Sequence, residues 1–392
     1  MYFLRPKSYF TYDCPIPKNE ISRYCQYLQD HLPDTRDPRG KRHELAFVLT
    51  SLLWALLRSG GYLSISKLHR WMVREHDWLV AQTGWASAKP ISDPQLRRVL
   101  ANLDYLHYNQ LNGLFFGWAG SQPEVWYSVD GKELRGSIDG VIGQKRGQAV
   151  VRLVCHEDAQ AQLMGFYEGE KESERTVVAQ HFNACAVEEL RGRNFTLDAL
   201  HSTPEVLTCL QHGGSGYVVG VKANQAQLLA QFERLASQPA YRQEEQVDKA
   251  HGRLEQRSYR FYPVAEWLLE ERWQEAGIQT LVVVKRHSVR LKDGLVRQQE
   301  AYFASSLPWL EAGLCRAIRD HWQIEADHPV RDTTAGEDRL RCGHSGRLRT
   351  LSSVLTAGIN LLRAYDRQGN LRACWEDATA DRQVALACWK VS

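Results

Sequence analysis

The order of short apolar strands and helices between residues 125 and 236 limits the folds that this chain can adopt. The pattern predicts three strands, a helix, and then two strands that are each followed by a helix. A short polar loop at 156–161 suits a hairpin between the second and third strands, whereas parallel strands need crossover connections such as helices. We therefore expect a mixed α/β sheet, in which an antiparallel meander is extended by two crossover-linked strands. The predicted strands are 125–130, 149–155, 162–166, 195–198 and 217–221, and the predicted helices are 174–187, 204–211 and 225–236.

The region before residue 118 has a different, helical character. Helices are predicted at 45–58, 64–78 and 94–103, after a basic, turn-rich segment at 34–42. The third helix carries Arg97 and Arg98, so the three helices fit a helix-turn-helix-like DNA-binding unit. A small helical packing domain fits this pattern equally well.

Composition excludes several classes of protein. The longest apolar run, at 45–57, has 13 residues and contains Thr50 and Ser51, whereas a bilayer span needs about 20. The N-terminus lacks the basic and apolar segments of a secretory signal. The nine cysteines are dispersed and form no C-x-x-C pair, which argues against a zinc site or a disulfide framework and for a reducing cytosol. A net charge of +3 is too small to establish a nucleic-acid partner.

Strand-like segments return after residue 250, at 256–262, 281–289 and 300–305, and helical spacing resumes from 310 to a last apolar helix at 351–362. We therefore divide the chain into four parts. These are a helical domain at 1–118, the first part of the sheet core at 119–250, a β-rich insertion at 251–308, and helices at 309–392 that complete the core.

Three acidic residues stand at positions suited to catalysis. Asp130 and Asp198 each end a predicted strand, and acids at the carboxyl ends of neighbouring strands meet at the edge where α/β sheets place their sites. Glu325 lies on a late helix, sharing a face with Ile318, His321 and Trp322. Three carboxylates suit Mg²⁺ or Mn²⁺, and two such ions about 4 Å apart can promote phosphodiester cleavage. The alternative is that these acids only cap helices or solvate loops.

Seven short motifs occur in order along most of the chain. They are DTRDPR (34–39), VDGKELRGS (129–137), TLDALH (196–201), VKANQ (221–225), HGRLEQR (251–257), HWQIE (321–325) and GED (336–338). With these motifs the chain resembles bacterial insertion-sequence transposases of the ISAs-one type, in the branch of the H-repeat-associated proteins, which is related to the IS-four-like transposases.

The resemblance implies a ribonuclease H-like core with an N-terminal associated helical domain and a β-rich insertion before the last acid. It implies a DDE triad of Asp130, Asp198 and Glu325 that binds two Mg²⁺ ions, with Mn²⁺ as a substitute. It further implies cleavage of double-stranded DNA at transposon ends and strand transfer to target DNA. The expected protein is bacterial, cytoplasmic and nucleoid-associated, has no membrane partner, and forms a homodimer on DNA.

Residues in or near these motifs are candidates for contacts with DNA, and for Lys132 and Arg135 the alternative is an exposed charge pair. Lys132 and Arg135 follow the first acid, and His321 lies one turn before Glu325. Residues 222, 224 and 225 end a strand at the same sheet edge, and residues 251, 253 and 257 lie in the insertion. The full set is Lys132, Arg135, Lys222, Asn224, Gln225, His251, Arg253, Arg257, His321, Arg97 and Arg98.

One departure from the family pattern follows the third acid. Pro329 lacks an N–H and would clash with the carbonyl of Glu325, so we expect the helix to bend or stop between these residues and activity to be weakened. Three functions therefore remain: a DDE transposase, a domesticated nuclease or recombinase with the same chemistry, and a catalytically impaired protein that binds DNA ends.

Overall fold

The computed structural model describes most of the chain and consists of N-terminal helices, one mixed sheet and C-terminal helices. The described residues are 19–61, 64–85, 89–118, 125–138, 146–168, 172–250, 252–265, 269–366 and 370–390. Within these ranges, no helix is both long enough and apolar enough to cross a membrane.

Five helices precede the sheet. They are α1 (Glu20–His31), α2 (Leu45–Arg58), α3 (Ile65–Thr83), α4 (Asp93–Ala101) and α5 (Tyr105–Phe115). Every residue of α2 is buried, as its apolar sequence predicts. Helices α2, α3 and α4 confirm the predicted helices, whereas α1 and α5 were absent from the prediction.

The central strands form a ribonuclease H-like sheet in the order β3-β2-β1-β4-β5. Strands β1 and β2 pair antiparallel, as do β2 and β3, whereas β1, β4 and β5 run parallel, so the predicted fold class is confirmed. The strands are β1 (Trp126–Glu133), β2 (Gln148–Cys155), β3 (Ala161–Glu168), β4 (Asn194–Leu197) and β5 (Gly216–Val221). The accompanying helices are α6 (Glu172–Ala184), α7 (Val187–Leu190), α8 (Pro204–His212) and α9 (Ala226–Ala236).

The β-rich segment continues this sheet. Its antiparallel strands are β6 (Arg242–Ala250), β7 (Arg253–Pro263), β8 (Thr280–Arg290) and β9 (Val296–Ser305). Strand β9 pairs antiparallel with β5, so the described residues form one nine-stranded sheet that ends at β6. We call β6–β9 the meander. Strand β6 begins before residue 251, and its polar sequence gives no strand signal.

The helix that was expected to carry the third acid is divided into three parts. They are α10 (Leu314–Asp320), α11 (Gln323–Pro329) and a π-helical turn (Val330–Thr334). The expected stop falls at Pro329 itself, whereas the further interruption at His321 and Trp322, before Glu325, was not expected. Pro329 ends α11, and the change to π-helical pairing after it accommodates the missing N–H.

Three helices complete the chain: α12 (Ser345–Tyr365), α13 (Leu371–Ala380) and α14 (Arg382–Ala387). Helix α12 is buried from Thr350 to Leu362 and packs against α2, α4, α5 and β3. The C-terminal helices thus share one hydrophobic core with the N-terminal helices. The division at residues 118, 250 and 308 stays a prediction.

Candidate active site at the carboxyl edge of the central strands

The pairing of β1 with β4 brings the first two acids together. Val129 pairs with Leu197 in this parallel ladder, so the next positions along both strands are Asp130 and Asp198. Neighbouring strands lie about 4.8 Å apart. Asp198 directly follows β4, as predicted, whereas β1 continues past Asp130 to Glu133 and pairs Asp130 with Arg152 of β2.

All three predicted acids line one cavity of about 630 Å³. Glu325 enters it from α11, which packs against β1 and β2. Trp322, half exposed, lies in the same wall three residues earlier. The fold therefore places the three acids around a common space. Whether they act as a triad stays a prediction.

A buried polar cluster connects the sheet to the turn before Glu325. Ser128 and Thr196 lie two residues before Asp130 and Asp198, and their hydroxyls are 3.1 Å apart. His321 Nδ1 lies 2.9 Å from the Thr196 hydroxyl, and the Ser128 hydroxyl donates to the His321 carbonyl at 3.1 Å. The cluster thus fixes the start of α11 against both acid-bearing strands.

His156 completes this cluster from the β2–β3 turn. Its Nε2 lies 2.8 Å from the Ser128 hydroxyl and 3.2 Å from that of Thr196. Burial lowers the pKa of His156 to about 3 and that of His321 to about 4, and a charge on His321 would lower the pKa of His156 further. Both rings are therefore neutral near pH 7. His321 lines the cavity but is held by Thr196, and its predicted grip on phosphate stays a prediction.

The glycine after Asp130 allows a buried carboxylate to approach β1 closely. A Cβ on Gly131 would lie 2.2 Å from the Glu174 Oε2 atom of α6. Glu174 is fully buried, accepts a hydrogen bond from Tyr167 and lies 3.0 Å from His201 Nε2. This pair ties α6 to the loop after Asp198, so a side chain at position 131 would disturb both acid-bearing segments.

The residues that end β5 support the Asp198 loop. Lys222 Nζ lies 3.4 Å from Asp198 Oδ1, and this lysine is largely exposed at the cavity. Asn224 donates to the Ala199 carbonyl at 2.7 Å, and Gln225 donates to the Ser202 carbonyl at 2.6 Å. The amides of Asn224 and Gln225 therefore hold the loop, and their predicted contacts with DNA stay predictions.

Lys132 lies in a buried ion-pair cluster on the other side of Asp130. Its ammonium nitrogen lies 2.6 Å from Asp332 Oδ1 and 2.9 Å from Asp338 Oδ1. Beside it, Arg152 is paired with the fully buried Glu337. The Lys132 side chain is only 8% exposed and its charge is paired within the protein, and its predicted contact with DNA stays a prediction. Arg135 is exposed and lies 3.7 Å from Asp338.

Helix α4 carries the two arginines that were predicted to contact DNA. Arg97 is paired with Asp93 at 2.5 Å and also donates to Ser66. Arg98 is exposed. These two arginines lie on the N-terminal helices, and neither lines the acid cavity.

The meander supplies cavity residues that the sequence prediction mostly missed. Arg257 lines the cavity, as do Tyr259 and Arg286 of the meander and Arg319 of α10, and the last three were not among the candidates. Arg253 is exposed at the start of β7 and is not part of the cavity lining. His251 lies outside the described residues. The alternation of side chains along β7 places Arg257 and Tyr259 on one face, but only the pairing with β8 reveals Arg286.

The three carboxylates have the chemistry of a magnesium site. Their oxygens are the ligands that Mg²⁺ and Mn²⁺ prefer, and they face one space together with Lys222. Among the described residues, however, no three His, Cys, Asp or Glu side chains are gathered closely enough to hold one ion. The three carboxylates are thus ligands of the right chemical type around one cavity. Their side chains would have to move closer together to coordinate Mg²⁺ or Mn²⁺.

Comparison with known proteins places the chain near transposases. Residues 26–119 match the family model described as DDE_Tnp_1-associated, which covers most of the N-terminal helices. The match ends before β1, so it describes the helical part and not the acid cavity.

Similar full-length proteins come from Escherichia coli. "Putative transposase YncI" of strain O157:H7 is 23% identical over 86% of this chain and 87% of its own length. "H repeat-associated putative transposase YhhI" of strain K12 is 22% identical over 86% of this chain and 90% of its own length. "Putative protein YbfL" of strain K12 is 23% identical over the same shares. The chain is distantly homologous to these proteins over most of its length.

Proposed function

We propose that this protein is a metal-dependent DDE transposase of the ISAs-one type. The observation that carries the proposal is the position of Asp130, Asp198 and Glu325 around one cavity on a ribonuclease H-like sheet. The distant homology to proteins named as transposases supports it independently. The reaction is cleavage at the transposon ends followed by transfer of the freed 3′-hydroxyl to target DNA.

Asp130, Asp198 and Glu325 would hold two Mg²⁺ ions, for which Mn²⁺ can substitute. Bound ions of this kind supply activation of the attacking hydroxyl and stabilisation of the leaving oxygen. The protein contributes the positions of its carboxylates, which the cluster of Ser128, Thr196 and the two histidines fixes. Lys222 contributes positive charge beside Asp198, where a DNA phosphate would approach.

The proposed substrate is double-stranded DNA, bound by a homodimer. In this proposal residues 1–118 form the DNA-binding domain, 119–250 and 309–392 form the catalytic core, and 251–308 form the insertion. Arg98 and Arg135 are exposed and available to phosphates. A protein acting on the bacterial chromosome would work in the cytoplasm at the nucleoid.

A second function is favoured by one specific observation. Pro329 ends the helix that carries Glu325, and π-helical pairing follows it. This departure from the family pattern favours a protein that still binds transposon ends but no longer cleaves them. A domesticated nuclease with the same triad would cleave DNA without strand transfer.

The test is a cleavage assay on duplexes taken from the DNA that flanks the gene, with Mg²⁺ or Mn²⁺ and a labelled strand. We expect metal-dependent nicking at the border of an inverted repeat by the wild-type protein, and none by Asp130→Asn. Binding without nicking by the wild type would support the impaired DNA-binding protein. Nicking without strand transfer to a target plasmid would support the nuclease.

A further inference from the structure

The wall of the cavity formed by the meander is basic. Arg257 of β7 and Arg286 of β8 are paired across the antiparallel ladder, and Arg319 of α10 shares a carboxylate with Arg257. All three line the cavity that also contains the three acids. One cavity therefore has an acidic region on the central strands and an arginine cluster on the meander side.

Two carboxylates belong to this arginine cluster. Asp248 Oδ2 lies 2.9 Å from both Arg257 Nη1 and Arg319 Nη1. Glu255 is paired with Arg257 and lies 3.2 Å from Arg286 Nε. Three guanidinium groups thus face two carboxylates, which leaves one positive charge. The acids hold the arginines in place and neutralise most of their charge.

A buried hydroxyl lies beside the arginines. Tyr259 is fully buried, yet its hydroxyl has no hydrogen-bond partner in the part of the chain that the structure describes. Tyr259 lies two residues after Arg257 on the same face of β7, and both residues line the cavity. Burial raises the pKa of Tyr259 to about 12, and the charges of Arg257, Arg319 and Arg286 oppose this rise. Arg257 Nε likewise lacks a hydrogen-bond partner among the described residues.

We propose that Arg257, Tyr259, Arg286 and Arg319 form a binding subsite for one backbone phosphate of the DNA strand whose cleavage the three carboxylates carry out. This inference rests on the proposed function and assigns a location to part of its substrate. A phosphodiester carries one negative charge, which equals the charge left over in the cluster. Its oxygens would accept hydrogen bonds from the two donors that lack partners.

The Tyr259 hydroxyl allows a test in which stability and binding change independently. Tyr259→Phe removes a buried donor that has no protein partner, so we expect the midpoint of urea unfolding to stay the same or rise. We expect the affinity for a duplex from the end of the element to fall roughly tenfold, because a hydrogen bond to a charged group is lost. Fluorescence anisotropy with Ca²⁺ in place of Mg²⁺ measures binding without cleavage.

Arg319→Gln provides the second variant, since its side chain is 38% exposed. We expect weaker binding and a decrease of about one in the slope of log affinity against log salt. Arg372→Gln is the matched control, because it removes an exposed arginine of α13 that is paired only with Glu376 among the contacts of the described residues. We expect the control to bind as the wild type does.

A scan of the duplex with single methylphosphonate substitutions locates the phosphate. In the wild type, a methylphosphonate at one position near the cleavage site should weaken binding roughly tenfold. In Tyr259→Phe and Arg319→Gln the same substitution should weaken binding by much less, because the partner of that phosphate is already altered.

The outcomes distinguish this inference from the proposed function. A wild type that binds and nicks DNA, with variants that bind equally well and keep the full effect at every methylphosphonate position, would overturn the subsite alone. A wild type that binds none of the duplexes would overturn the proposed function and the subsite with it. Weaker binding by both variants, with loss of the effect at one common phosphate, would support the subsite.

Discussion

Two groups of charged side chains lie next to each other at β1, and they differ in burial and in the groups that surround them. In the first group, Lys132 and Arg152 are buried, and they are paired with Asp338 and Glu337, respectively. In the second group, Asp130, Asp198 and Glu325 line a cavity that is open to solvent. The first group forms a closed ion-pair cluster that joins β1 and β2 to the segment before α12. The second group leaves space for a substrate.

The comparison shows that one short motif supplies residues to both groups. In VDGKELRGS, Asp130 faces the cavity, whereas Lys132 pairs with Asp332 and Asp338 about two hundred residues later. A buried charge is costly unless it is paired, so a lysine in this position belongs to the fold. A charge that lines an open cavity has no such requirement, so this position suits a residue that takes part in chemistry.

The largest expected effect is on the open group. Asp130→Asn should abolish metal-dependent nicking, by roughly a thousandfold or more, because the loss of a metal ligand removes several kcal/mol of transition-state stabilisation. A time course of nicking with labelled end duplexes in Mg²⁺ measures the loss. Binding in Ca²⁺ should persist, since the substitution is nearly isosteric and Asp130 lies outside the closed cluster. Nicking by Asp130→Asn at the wild-type rate would mean that Asp130 has no catalytic role.

The next effect concerns the closed group and is on stability. Glu337→Ala leaves the buried guanidinium of Arg152 without its partner, which typically costs about 3–5 kcal/mol in the free energy of unfolding. Urea unfolding followed by tryptophan fluorescence measures the change. Glu325→Ala is the matched control, because Glu325 is exposed and its removal should change stability by about 0.5 kcal/mol or less. Equal losses in both variants would mean that the two groups do not differ in this way.

A third effect depends on pH and concerns the cluster that joins the two acid-bearing strands. The pKa of His156 is lowered to about 3 in the folded protein, so the unfolded chain takes up a proton near pH 6.5 and the folded chain does not. Stability is therefore lost as pH falls below 6.5, by about 1.4 kcal/mol per pH unit for this histidine. His156→Gln should reduce this slope between pH 6.5 and 5 in urea titrations. Parallel pH profiles for the two proteins would contradict the buried, neutral ring.

Local pattern predicted much of the fold. The apolar sequence of α2 defined its two ends, and Asp198 was correctly placed at the end of a short strand because Phe195 and Leu197 give β4 one apolar face. Strand β6 escaped prediction because its exposed residues are almost all polar. The break at His321 and Trp322 also escaped, because helical spacing alone does not indicate where a helix is interrupted.

A residue of the site could be predicted from the sequence only where its position along its own strand determines its location. Asp130 and Asp198 could be paired from strand order, whereas Lys132 could not be assigned, because its partners come from a distant segment of the chain. Ser128 and Thr196 carried a usable signal, since each lies two residues before an acid and therefore on the same face of the sheet. Arg286 and Arg319 carried none, because only the pairing of β7 with β8 brings Arg286 to the cavity, and only the tertiary packing of α10 brings Arg319 there.

The smallest expected effect comes from comparing the two lysines directly. The side chain of Lys222 is 72% exposed and that of Lys132 is 8% exposed. Lys222→Gln should leave the free energy of unfolding within about 0.5 kcal/mol of the wild type, weaken DNA binding only a few-fold, and reduce the salt slope by about one. Lys132→Gln should leave that slope unchanged and lower stability instead, because Asp332 and Asp338 then repel each other without a cation between them. Anisotropy titrations from 50 to 300 mM salt, together with urea unfolding of both variants, decide the point. A lower salt slope for Lys132→Gln would place its charge on DNA, and an unchanged slope for Lys222→Gln would mean that its charge serves only Asp198.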